Sequence, residues 1–480
     1  MKTRIDYFDY DTLLQPTDWR FAAAVVGLCK YFDYFEIDYK VLYDVEEKPD
    51  NYIHGFDGII YKSEDITEEK YLEFAENYFE KYMTHIKLQN ILNKDKLIDE
   101  DIVNFKRICP DSFYKNFFEN KRFDGSNKDY FISAIYEKRY EMITHSYKYN
   151  LNLYGNYCNK NRLYTDKNKV CRIIGYDVDK DRKTSNLGFC FSKESFESND
   201  ILEFDFIPFA FSNSDMRETY FVNNNFSVKS LTQTNYAFSN QLSSTENKDD
   251  KNKLMLVLQN SKDYISYDVE IISKSQDKAY YETFFVRLER LKKLRQLSGK
   301  SLNFVKKIND DYWFNLEKEV YMRCMNNILL DDVILKMFKF FYFEESEKKN
   351  SKAISEIRKT QKNIMYKIGL LVDINVSWKG NEIMDEIKSA KSCGFLTSKK
   401  LIEMKSSNKI NSYKQKIISA LCAHDYDRTK EIILSLSAYV GMEFSFFYTF
   451  LENAEENKDL AFAFASALNE VSSKNNEENN

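Results

Sequence analysis

The sequence predicts an α+β protein, a mixed N-terminal part with a β-rich middle followed by an all-α C-terminal helical bundle. Three observations carry this. Pro16, Pro49, Pro110 and Pro208 are the only prolines and glycine is sparse after Gly299, so the last third lacks helix breakers. Apolar residues recur at a period of two in segments between Val170 and Ile272, interrupted by polar loops such as Asn223-Asn224-Asn225. Helical spacing returns near the C-terminus, where Ile417, Ala420 and Leu421 are followed by Leu460, Phe464, Ala467 and Leu468.

Taken in order, Thr17 reads as the N-cap of an apolar helix over 18–34, which contains AAAVVGL. Short strands are expected at 40–45 and 58–61, a long amphipathic helix at 66–92 and another at 128–147. In the middle, CRIIGYDV, LGFCFS, ILEFDFIPFAF, ETYFV, KLMLVLQ and YISYDVEII read as strands. A basic helix over 277–297 then leads into the helical remainder. This gives residues 1–300 as an α+β domain or pair of domains, 301–475 as a helical bundle and 476–480 as a disordered tail.

Composition bounds the function. The chain has 480 residues, 43% of them hydrophobic, with 38 Phe and 35 Tyr, which is ample for buried cores. No secretory leader pattern and no apolar run of membrane-spanning length occurs, so a cytoplasmic protein without a membrane partner is expected. The cysteines form no CxxC pair. Cys158, Cys171 and Cys190 offer three irregularly spaced thiols at best, and neither a metal nor any other cofactor is expected. The net charge of −5 is unevenly spread. Residues 1–100 hold 12 basic and 22 acidic side chains, whereas 351–430 hold 16 basic and 8 acidic. An acidic head and a locally basic tail imply partners of different electrostatics.

Three basic clusters are candidate nucleic-acid contacts, with solvated lysine faces as the alternative in so Lys-rich a chain. Lys160, Arg162, Lys167, Lys169, Arg172, Lys180, Arg182 and Lys183 flank the first expected strand of the middle. Arg287, Arg290 and Lys293 repeat at helical spacing, with Lys292, Arg295 and Lys300 beside them. Lys399, Lys400, Lys405, Lys409, Lys414 and Lys416 surround a Ser/Asn loop and the helix after it.

No phosphate-binding, dinucleotide, nucleophile-elbow or HExxH pattern occurs, so no catalytic residue is expected. One spacing stands apart: Arg139 and His145 in EKRYEMITHSY match the R-x5-H of HEPN ribonucleases. In those enzymes a His acts as base on the ribose 2′-OH and an Arg stabilises the phosphorane. Here the helix lacks the polar residue usual after the Arg.

The end of the chain, SYKQKIISALCAHDYDRTKEIILSLSAYVGMEFSFFYTFLENAEENKDLAFAFASALNE, resembles the C-terminal bundle of the large subunit of type I CRISPR Cascade complexes. WRFAAAVVGLCKYFDYF is similar to that family's N-terminal helix. DDYWFNLEKEVYMRCMNNILLDDVILKMF is similar to the segment that opens its C-terminal half. The resemblance, type I-B or I-A-like, implies a non-catalytic subunit at the crRNA 5′ handle. Its implied partners are crRNA, target double-stranded DNA, the backbone and small subunits and the helicase-nuclease. It also implies reading of a protospacer-adjacent motif and guidance of the displaced strand. The family's frequent paired CxxC motifs are missing here. In related systems an internal start yields the small subunit, for which Met322, Met325, Met337 and Met365 are candidates.

Overall fold

The computed structural model describes residues 1–150, 153–166, 170–175, 199–212, 217–245, 250–310, 312–346, 351–380 and 382–469. The chain divides into two compact units, Met1–Leu288 and Glu289–Asn480.

In the first unit, β1 (Lys2–Tyr7), β2 (Tyr10–Leu14), β3 (Lys40–Val41) and β4 (Ile59–Tyr61) form an antiparallel sheet of order β1-β2-β4-β3. The apolar helix α1 (Trp19–Tyr34) is buried around most of its circumference, as a helix apolar on every face must be. Its N-cap is Asp18 and not Thr17: the Asp18 carboxylate accepts from the Arg20 amide at 2.8 Å and the Phe21 amide at 3.4 Å. The helices α2 (Glu68–Tyr78), α3 (Thr84–Leu92), α4 (Asp99–Ile108), α5 (Asp111–Phe117), α6 (Lys128–Glu137), α7 (Arg139–Tyr149) and α8 (Tyr154–Tyr157) follow. A second core, rich in phenylalanine, gathers Phe105, Phe113, Phe118 and Phe131 with Leu88 and Met142. Beyond it come α9 (Ile207–Ala210), β5 (Glu218–Asn223), α10 (Val228–Ser244), α11 (Asp250–Gln259), β6 (Val269–Ser275) and β7 (Tyr281–Val286). The last three strands make an antiparallel sheet of order β5-β6-β7.

Several elements differ from the sequence reading. The helix expected over 66–92 is two, broken where Phe79 turns inward to stack on Phe209 at 5.3 Å. The one expected over 128–147 is divided at Lys138. ILEFDFIPFAF is a 3₁₀ turn, Leu202–Phe206, running into α9, with Pro208 in the first turn. Its alternation misleads because Glu203 and Asp205 are buried with the phenylalanines, held by ion pairs. KLMLVLQ is helical, with Leu254, Val257 and Leu258 buried at i, i+3 and i+4. The expected basic helix over 277–297 contains strand β7, because its first half pairs with β6. Of CRIIGYDV, Ile173 forms an isolated bridge to Cys158; the rest of that segment from 176 on and LGFCFS lie outside the described residues.

The second unit starts within α12 (Leu288–Arg295), followed by a short antiparallel hairpin, β8 (Val305–Lys307) and β9 (Trp313–Asn315), unforeseen in the sequence. The remainder is helical: α13 (Leu316–Asn326), α14 (Asp331–Ser346), α15 (Ser351–Lys379), α16 (Met384–Glu403), α17 (Asn408–Cys422), α18 (Tyr426–Val440), α19 (Phe446–Glu452) and α20 (Lys458–Ala467). Helix α20 is buried along almost its whole length and packs on α15 and α16. At its first turn the buried Asp459 carboxylate accepts from Asn375 at 3.0 Å and pairs with Lys379 at 2.5 Å. Gly441, at φ +64°, closes α18 in the left-handed conformation, as its place in the sequence suggests. No described helix is long and apolar enough to cross a membrane.

Candidate nucleic-acid interface

The first predicted cluster is mostly outside view or turned inward. Lys167, Lys169, Lys180, Arg182 and Lys183 lie outside the described residues. Arg172 is 1% exposed: its guanidinium pairs with Asp205 at 2.6 Å and Asp200 at 3.0 Å, and donates to the Thr165 carbonyl at 2.6 Å. Burial alone would discharge it, but the two carboxylates outweigh burial and raise its affinity for the proton. Asp205 also accepts from Tyr154 at 2.6 Å and from the Tyr164 amide at 2.8 Å. Arg172 is therefore a structural charge and leaves the nucleic-acid set. Arg162 donates to the Val170 carbonyl, and the Lys160 ammonium stands 4.6 Å from the Tyr149 ring.

The second cluster is divided between exposed cations and cations bonded to the end of a neighbouring helix. Arg287 precedes α12, so it is not part of one helical stripe. Arg290 donates to the Met325 carbonyl at 2.7 Å and Lys293 to Asn327 at 3.0 Å, placing two cations at the C-terminal end of α13. Lys292 is exposed, while Arg295 and Lys300 are half-buried. In the third cluster, Lys399, Lys400, Lys405 and Lys409 are exposed near the end of α16 and the start of α17. Lys414 is buried, donating to Asn469 at 2.9 Å. Lys416 of that cluster lines a groove.

That groove consists of two adjoining depressions of about 670 and 630 Å³ that share Lys339 and Cys422. The first takes Lys306 and Lys307 from β8, with Lys307 paired to Asp310 at 2.8 Å, Lys336 and Lys339 from α14, and His424 from the turn after α17. The second adds Lys416 and Arg428. Lysines at 336 and 339 are one helical turn apart, so α14 presents both on one side. Among the described residues, Lys336, Lys339, Lys416 and Arg428 have no carboxylate within ion-pair distance. Two acidic groups line the groove: Asp332, paired with Arg323 at 3.3 Å, and Asp425, whose carboxylate keeps its charge while capping α18 by accepting from the Arg428 amide at 3.0 Å. Lys336 lies 4.5 Å from the Phe314 ring and Lys306 5.4 Å from that of Phe340. Lys336, Lys339, Lys416 and Arg428, cations of the groove without a carboxylate partner among the described residues, can follow a phosphate backbone. Sequence reading passed over Lys306, Lys307, Lys336, Lys339 and Arg428. The i, i+3 lysines within LKMFKF were the signal.

A family model described as CRISPR-associated protein Csx8 matches residues 10–255 and 240–468. The chain belongs to this family of CRISPR-associated proteins. No curated protein and no solved structure gives a match. The family agrees with the sequence resemblance at the level of CRISPR association and carries no I-B or I-A-like subtype.

In this Csx8-family chain the Arg139–His145 pair does not converge on a shared site. Arg139 is clamped on Glu76, whose carboxylate also meets His85 Nε2 at 2.7 Å. Burial works against ionised Glu76, but His85 and Arg139 prevail and hold it below its ordinary range. His145 packs edge-on against Phe113 and Phe117, and that burial lowers its pKa. The depression beside His145 is lined by Glu68, Glu69 and Glu141, which repel a phosphate. The family match gives the ribonuclease reading no support, and the clamp of Arg139 on Glu76 leaves that Arg engaged in an ion pair. Cys158 and Cys171 are buried and Cys190 lies outside the described residues. Among the described residues no three His, Cys, Asp or Glu side chains gather as a metal-ligand set.

Proposed function

We propose that this Csx8-family chain is the non-catalytic large subunit of a type I Cascade-like ribonucleoprotein in antiviral defence. It recognises the protospacer-adjacent motif on target DNA, guides the displaced strand and recruits the helicase-nuclease. Its partners are crRNA, target double-stranded DNA and the backbone and small subunits. The observation that carries the reading is the groove of the second unit, where Lys336, Lys339, Lys416 and Arg428 stand without carboxylate partners in a chain of net charge −5. In such a complex base pairing reads the sequence, and the protein supplies backbone contacts. An acidic first hundred residues then needs no nucleic acid of its own.

The test is co-expression with neighbouring effector genes and a repeat array. The chain is expected to co-elute with an RNA of defined length and with those gene products. Elution as a free, RNA-less chain under those conditions contradicts the assignment.

A further inference from the structure

The β8–β9 hairpin leaves one face open beside the groove. Its register sets Lys307 opposite Trp313 and Val305 opposite Asn315, so these side chains share a face. Phe314 and Lys306 point the other way: Phe314 is buried, and Lys306 lies over Phe340. On the open face Trp313 is 58% exposed. Tyr312, 41% exposed, precedes it on the opposite side of the strand, where the Lys336 ammonium lies 5.3 Å from its ring and 4.5 Å from that of Phe314. The other two tryptophans of the chain, Trp19 and Trp378, are 6% and 7% exposed. Single exposed apolar residues need no explanation, but an indole and a phenol grouped with lysines that line a groove form a surface of defined chemistry.

We propose that this hairpin edge is a base-stacking subsite, where Trp313 on one side and Tyr312 on the other receive unstacked bases of a single-stranded nucleic acid whose phosphates follow Lys336 and Lys339. The inference rests on the reading of the groove as a nucleic-acid path. Charge complementarity selects a polyanion. The rings select among polyanions, because a duplex keeps its base faces inside the stack whereas a single strand offers them to aromatic side chains. The subsite tolerates any sequence, since every base has a π-face.

The full chain reports on this directly, because Trp313 supplies the exposed, red-shifted part of its tryptophan emission. A short oligothymidylate and a blunt DNA duplex of matched length are titrated against the wild type, Trp313→Ala, Trp313→Phe and Lys336→Glu/Lys339→Glu at several salt concentrations. The single strand is expected to quench the red-shifted emission, and the duplex is not. Trp313→Ala weakens oligothymidylate binding about five- to a hundredfold with little change in salt slope, and Trp313→Phe retains most of it. If the lysine variant loses binding while Trp313→Ala binds as wild type without quenching, the stacking subsite is refuted and the groove reading stands. If the lysine variant also binds as wild type, both fail. Equal quenching by duplex and single strand refutes the single-strand selectivity.

Discussion

A guanidinium that is 1% exposed between two carboxylates cannot reach a phosphate without breaking both pairs. Arg172 therefore tests where charge in this chain is structural. Replacing it by Leu leaves Asp200 and Asp205 buried without their cation, a change that typically costs about 3–5 kcal/mol. Denaturant titration of the full chain is expected to show that loss. Undiminished stability together with lost nucleic-acid binding would return Arg172 to the interface. The sequence held a hint of its role, since Arg172 sits between Cys171 and Ile173-Ile174 in an apolar run. Charge counting finds basic residues and says nothing of their depth. That is why Arg172 and Lys414 were grouped with surface lysines, and why Arg290 and Lys293 were not recognised as partners of a helix end.

At the scale of elements, close helix packing is set by small residues. A Cβ at Gly394 of α16 would lie 2.6 Å from the Phe464 carbonyl oxygen and 2.9 Å from the Ala467 Cβ of α20. Gly394→Val forces these helices apart and should destabilise the chain by about 1–3 kcal/mol, read as a lower denaturation midpoint. An unchanged midpoint would contradict the packing described. The long tail helices and the apolar α1 were legible because periodicity survives when whole faces are buried. Much of the middle was not. Inward-facing Glu203 and Asp205 mimic the alternation of a half-buried strand. In KLMLVLQ a run of apolar residues satisfied both periods until the packing of Leu254, Val257 and Leu258 decided. The β8–β9 hairpin escaped notice because strands of three residues leave almost no periodic signal.

For the whole molecule, family membership spans residues from both compact units, and the acidic and basic regions differ in the partners they suit. The C-terminal resemblance pointed to the second unit. It did not indicate its groove, because Lys306, Lys336, Lys416 and Arg428 are distant in sequence and meet only in the fold. The central claim is that this groove, and not the general lysine content, carries nucleic acid. It is tested by the salt dependence of target-DNA binding in two triple variants of equal charge change. Lys336→Glu/Lys339→Glu/Lys416→Glu alters the groove, and Lys399→Glu/Lys400→Glu/Lys405→Glu alters exposed lysines outside it. Each lost phosphate contact removes about 0.7–0.9 from the slope of log affinity against log salt. The groove variant is expected to weaken binding and flatten the slope by about 2–3, with the second variant close to wild type. Equal losses in the two variants, or none in the first, would contradict the account.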